Sequence, residues 1–113
     1  MTLQLNESSL IEHEFVPEGQ EEESEKAVFI ISPPDERLKT KLSLMAARKS
    51  DEGDSVDIVL NACLVGWKNI VDSKGEEAEF SKDKFRFIPN DTRLDIFNEA
   101  MRLSRLDDEQ KKI

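Results

Sequence analysis

The spacing of apolar residues changes several times along the chain, and each change predicts an element. Residues 1–12 are polar apart from Leu3, Leu5, Leu10 and Ile11, and the alternation at Leu3 and Leu5 is that of a strand. His13 to Val16 forms a second short apolar stretch, closed by Pro17 and Gly19. Lys26 to Ile31 (KAVFII) is compact, β-branched and aromatic, which predicts a strand able to pair with residues 13–16 as a hairpin. Ser32-Pro33-Pro34-Asp35 reads as a helix start, with Ser32 as cap and proline in the first turn. That helix should reach Arg48 or Lys49 and present Leu38, Leu42, Met45 and Ala46.

After a break at 50–53, Asp54 or Ser55 should cap a helix from about Val56 to Ile70. Val56, Val59, Leu60, Cys63, Leu64 and Trp67 fall on one helical face, while Ile58, Ala62 and Val65 lie off it. A helix apolar nearly all round is central in its fold, and Gly66 within it costs roughly 1 kcal/mol against alanine. Val71 to Glu76 turns, and Ala78 to Phe80 should pair back on Ile70 and Val71. Ser81 caps a short helix, KDKFRF, ended by Pro89. A last helix starts near Asn90-Asp91-Thr92, with Thr92 and Asp95 at capping-box spacing. Its main stripe is Leu94, Phe97 and Met101, widened by Ile96, Ala100 and Leu103.

These elements predict an α+β fold, mainly helical. A short N-terminal β-hairpin should pack on three to four helices, with a small turn or hairpin after the central helix. The chain divides into an acidic, partly flexible arm at 1–25, a single globular domain at 26–106 and a polar tail at 107–113. A chain of 113 residues supports one modest core, burying ~60–70% of its unfolded surface. With no tyrosine and one tryptophan, the phenylalanines at 15, 29, 80, 85, 87 and 97 should mark that core.

Charge sharpens this division. The formal charge is −9, yet residues 1–25 hold eight acids and neither lysine nor arginine. The remaining residues carry 17 acids against 16 bases, so the body is nearly neutral. Such a body lacks the clustered positive surface that nucleic acid requires. The run Gln20 to Glu25 reads as a solvated loop, and its sharper alternative is a docking arm for a basic partner through Glu18, Glu21, Glu22, Glu23 and Glu25. Cys63 is the only cysteine, so no internal disulfide or CxxC zinc motif can form, in keeping with a reducing, cytoplasmic setting. The N-terminus lacks signal-peptide features, and no apolar run approaches a membrane span.

Chemistry is sparse. His13 is the only histidine and reads as a polar residue on a short strand. Cys63 lies on an apolar helical face and reads as a small buried hydrophobe. Calcium loops starting at Asp72 or Asp51 fail, because Lys74 and Gly53 stand where an oxygen ligand is needed. Gly19, Gly53, Gly66 and Gly75 are too far apart for a phosphate loop. With no nucleophile–base pair and no ligand cluster, an enzyme is the least favoured class, and no metal or cofactor is implied.

Trp67, the turn Asp72-Ser-Lys-Gly75, Phe80-Ser81 and a closing helix with Leu94, Phe97 and Leu103 resemble the small tail assembly chaperones of long-tailed bacteriophages. The acidic N-terminal stretch, the short strand Val28 to Ile31 and the Pro-led helix fit the same pattern, which spans about residues 26–105. The lysines at 82, 84 and the extended acidic arm depart from it. In this pattern Trp67, Gly75, Phe80 and Phe97 are structural anchors. The resemblance implies a non-catalytic factor in the host cytoplasm. It would bind the tape-measure protein, keep its apolar surface from aggregating and help tail-tube subunits polymerise around it. It also implies a longer product by ribosomal frameshifting, for which Lys111-Lys112 offers a place in the sequence. The alternative is a small acidic adaptor that docks a basic protein through its arm. That adaptor predicts that deleting residues 18–25 weakens partner binding, more so at low salt; unchanged affinity in a titration at two ionic strengths refutes it.

Overall fold

The computed structural model describes residues 2–17, 26–48 and 52–110. It is an α+β fold in which a three-stranded antiparallel sheet packs on three helices. In chain order these are β1 (His13–Phe15), β2 (Val28–Ile31), α1 (Glu36–Ala47), α2 (Glu52–Cys63), β3 (Leu64–Lys68) and α3 (Asn90–Gln110). Two 3-10 segments, Ser8–Leu10 and Lys82–Phe87, complete the inventory. The expected N-terminal hairpin forms, with His13 opposite Ile31 and Phe15 opposite Phe29. Leu3 and Leu5 do not form a strand; both lie outside any helix or strand and are exposed.

The largest departure is at Leu64. The apolar stripe predicts one helix to Ile70, but α2 stops at Cys63 and the chain becomes β3, paired with β2. The physical reason is the composition of both partners. β2 is short and apolar, and without β3 its backbone donors and acceptors on that edge would lack strand partners. Val65 and Trp67 favour strands, and Gly66 disfavours helix. Phe29 faces Trp67 and Ile30 faces Gly66, while Ile31 faces Leu64 across a bulge that leaves Val65 without an opposite number. At Gly66 a methyl group would meet Ile30 Cδ1 at 3.4 Å, so the small residue lets Ile30 lie close across the strand. Ser32 N–H donates to the Cys63 carbonyl at 2.8 Å, extending the pairing past the strand end.

That bond removes Ser32 from the capping role expected of it. α1 is instead capped by Asp35, whose Oδ1 accepts from Leu38 N–H at 2.8 Å, and Pro33 and Pro34 are buried ahead of the helix. α2 likewise begins earlier than expected, at Glu52, which places Asp54 and Ser55 inside it. In α3 Thr92 and Asp95 lie within the helix, and the ranking of its faces reverses. Ile96, Ala100 and Leu103 are buried, Phe97 and Met101 pack at the margin, and Leu94 is exposed.

The core lies between the sheet and α2. Val56, Val59, Leu60 and Cys63 supply the buried stripe of α2 and meet Phe29, Ile31, Leu64 and α3's buried residues. Arg93 of α3 pairs with Asp57 of α2 at the edge of this layer. Of the phenylalanines, Phe29 and Phe85 are buried and Phe15, Phe80 and Phe97 pack against the core, whereas Phe87 is 75% exposed. Leu60 is 1% exposed; Leu60→Ala should lower stability by about 2–5 kcal/mol through lost burial and the cavity left behind, as measured by urea denaturation.

Candidate binding groove

Beyond β3 the chain reverses in a compact arm fixed by local hydrogen bonds. Asn69 adopts a φ of 59° and its side chain donates to the Lys26 carbonyl at 2.9 Å. Ala78 N–H donates to the Ile70 carbonyl at 2.7 Å, and Val71 bridges Glu77, which is the small hairpin expected after the tryptophan. At its tip the Asp72 carboxylate accepts from the N–H groups of Lys74 (2.8 Å) and Glu76 (3.1 Å). Gly75 closes the turn with a φ of 82°, a conformation that L side chains resist.

Trp67 ties this arm to the domain. Its Nε1–H donates to the Ala78 carbonyl at 2.9 Å. Its ring meets Phe29 edge-on at 6.4 Å, Phe80 at 5.0 Å and Phe85 at 6.1 Å. Ser81 Oγ accepts from Asp83 N–H and starts the 3-10 segment that carries Phe85 inward. In a 3-10 turn, residues two apart cannot share a face. Phe85 is therefore buried and Phe87 turns out to solvent, where the Arg86 guanidinium lies 5.3 Å from its ring centroid.

Between these pieces lies an open groove of about 890 Å³. Its apolar lining comes from Phe29 and Trp67 of the sheet, from Ile70, Val71 and Ala78 of the hairpin, and from Phe87, Ile88 and Pro89 beyond it. Pro17 and Ala27, flanking β1 and β2, close one end. The rim is polar: the Asp72 carboxylate holds the turn, Lys84 Nζ donates to the Glu79 backbone carbonyl at 2.8 Å, and Glu77 and Glu79 also line the groove. Val71 and Phe87 stand 61% and 75% exposed. The groove lining contains neither histidine nor cysteine, and its polar side chains are Asp72, Ser73, Glu77, Glu79, Lys84 and Thr92.

Of the anchors expected from the sequence, Trp67 and Phe80 meet here, Gly75 shapes the adjoining turn, and Phe97 packs against the core from α3. Glu18, Glu21, Glu22, Glu23 and Glu25 lie outside the described residues. His13 sits half-buried on β1 opposite Ile31. Cys63 is buried at the end of α2, and burial, reinforced by the Asp35 carboxylate, pushes its thiol up to about 12. Among the described residues no group of three His, Cys, Asp or Glu side chains could hold a metal, and no helix is long and apolar enough to cross a membrane. A second, shallower cleft beside Phe15 is lined by Asp95, Asn98, Glu99, Arg102 and Arg105 of α3. Glu99 and Arg102 pair within it.

The groove escapes a linear reading because Pro17 and Phe87 reach it from opposite ends of the chain. One local signal existed: Phe85-Arg86-Phe87 places two aromatics where a tight helix can bury one.

No family model, no curated protein and no solved structure matches the chain.

The thiol gives a test of the packing around Cys63. Its folded pKa is raised from 9.0 to about 12, so the folded state keeps its proton where the unfolded state loses it. This contribution is fully present below pH 9 and is lost as pH rises from 9 towards 12. Stability measured by urea denaturation should fall over that window, and Cys63→Ala should flatten that part of the profile. The wild-type thiol should resist a maleimide at pH 8 until the protein is unfolded.

Proposed function

We propose that this chain is a non-catalytic assembly chaperone that holds an apolar segment of a partner protein in the Trp67 groove. The observation that carries the reading is an open apolar groove with Val71 and Phe87 exposed in its lining. Groups exposed in this way on a folded surface are available to a partner without rearranging the core. An amphipathic helix laying its apolar face into a groove is the recognition mode such a surface suits. Apolar burial on Trp67, Val71 and Phe87 would supply the main affinity, with the Glu77 and Glu79 carboxylates at the rim. The net charge of −9 opposes self-aggregation of a protein that carries exposed apolar walls.

The resemblance of the sequence to small phage tail assembly chaperones gives the partner a class. The tape-measure protein is long, helical and prone to aggregation before the tail tube encloses it. A small acidic factor with an apolar groove would shield its exposed stripe in the bacterial cytoplasm and release it to tube subunits. The reading requires no metal, cofactor or nucleic acid.

Co-expression with the longest helical open reading frame encoded beside this chain tests the proposal. The wild-type chain should carry that protein into the soluble fraction and co-purify with it. Val71→Glu/Phe87→Glu should abolish both effects while leaving the melting temperature nearly unchanged, because surface substitutions are usually within about 0.5 kcal/mol. A soluble tape-measure protein in the absence of the chain, or equal capture by the double variant, would sink the proposal.

A further inference from the structure

The segment ahead of β1 exposes apolar side chains almost completely. Leu3 is 89% exposed, Leu5 77%, Leu10 75% and Ile11 57%. Single exposed leucines need no explanation, but four large apolar side chains within nine residues form a sequence made for burial. Glu7 is the only charged residue between Thr2 and Ile11. The segment has no helix or strand from Thr2 to Glu7 and then makes one 3-10 turn.

The same molecule carries the apolar groove beside Trp67, but the segment leaves the sheet at the far end from it. β1 enters at His13, opposite Ile31, and Pro17 beyond its other end lines the groove. His13 and Pro17 are four residues apart, or about 13 Å of extended chain. Asn6 Nδ2 donates to Glu36 Oε1 at 2.7 Å, which holds the segment at the start of α1, with Leu3 and Leu5 lying beyond that contact. The segment is therefore anchored at the end of the sheet away from its own groove, with its leucines exposed.

We infer that the segment Thr2–Ile11 of one copy docks in the Trp67 groove of a second copy, giving a reciprocal dimer. The exchange pairs the most exposed apolar segment with the exposed apolar walls Val71 and Phe87, and two identical junctions related by a two-fold axis close the assembly. Two copies of a chain with charge −9 repel each other, so association driven by apolar burial should tighten as salt rises. The dimer closes the groove assigned above to a partner, which must displace the segment to enter; the dimer forms without that partner, so the two readings can fail separately.

Sedimentation velocity on the full chain, without any partner, tests this. The wild type should be a dimer whose dissociation constant falls with added sodium chloride. Leu3→Glu/Leu5→Glu and Phe87→Glu should each be monomeric and folded, with the far-ultraviolet circular dichroism spectrum of the wild type, since all three side chains are exposed within one copy; only the wild type should have a melting temperature that rises with protein concentration. Mixing the two variants should restore a heterodimer through its one intact junction. It should be roughly 10²–10⁴-fold weaker than the doubly joined wild type, because the second contact no longer acts intramolecularly. A wild type that stays monomeric, a dimer indifferent to either variant, or a monomer whose Trp67 emission shifts on Leu3→Glu/Leu5→Glu (the segment folding back on its own groove) would each overturn the inference.

Discussion

Much of the structure depends on β2 needing a partner on each edge. Val28 to Ile31 is apolar on both faces and lies in the middle of the sheet, so its backbone groups must be paired with strands on both sides. β1 takes one edge through a local hairpin. The other edge must be met from more than thirty residues downstream. The stretch that answers, Leu64 to Lys68, also continues the apolar pattern of α2. Pairing wins over helix continuation because it satisfies several backbone bonds at once and keeps Leu64 fully buried and Trp67 against the core.

Everything after Lys68 follows from that switch. A strand places Trp67 beside Phe29, where its ring meets three phenylalanines and its Nε1–H captures the Ala78 carbonyl. Aromatic pairs of this geometry are each worth about 0.5–1.5 kcal/mol beyond burial. Together with the indole hydrogen bond, they fold the hairpin at 70–78 back towards the sheet. The groove is the space between that hairpin and the 3-10 segment. It is thus a by-product of how the tryptophan is satisfied, and its floor is as rigid as the aromatic cluster beneath it.

The sequence was legible where one physical signal dominated. The β-branched run KAVFII identified β2, and the Asp72-to-Gly75 turn was evident from residues that favour tight reversals. The inward pointing of Phe29 and Phe85 followed from composition. It was misleading where two signals coincided. Val56 through Trp67 keeps helical spacing to its end, yet the last third is strand, because periodicity cannot register the demand of a distant edge. Ser32 and Asp35 are both competent caps; which one acts was decided by the Ser32–Cys63 bond across the sheet. The groove was less legible still. Its walls come from residues near 17, 27, 70 and 87, and no spacing rule connects them.

Phe87 bears most directly on what the groove is for. A phenylalanine with three-quarters of its surface in water gains little for folding, and the neighbouring Phe85 already fills the site beneath Trp67. Arg86 beside its ring keeps the side chain soluble without burying it. A residue contributing only to the domain's own stability would be better replaced by a polar one at this position, since exposed aromatics invite association. Phe87 also lines the same groove as Val71, Trp67 and Phe29. Completion of its burial by another chain is the reading proposed for the groove, and it rests on this exposure.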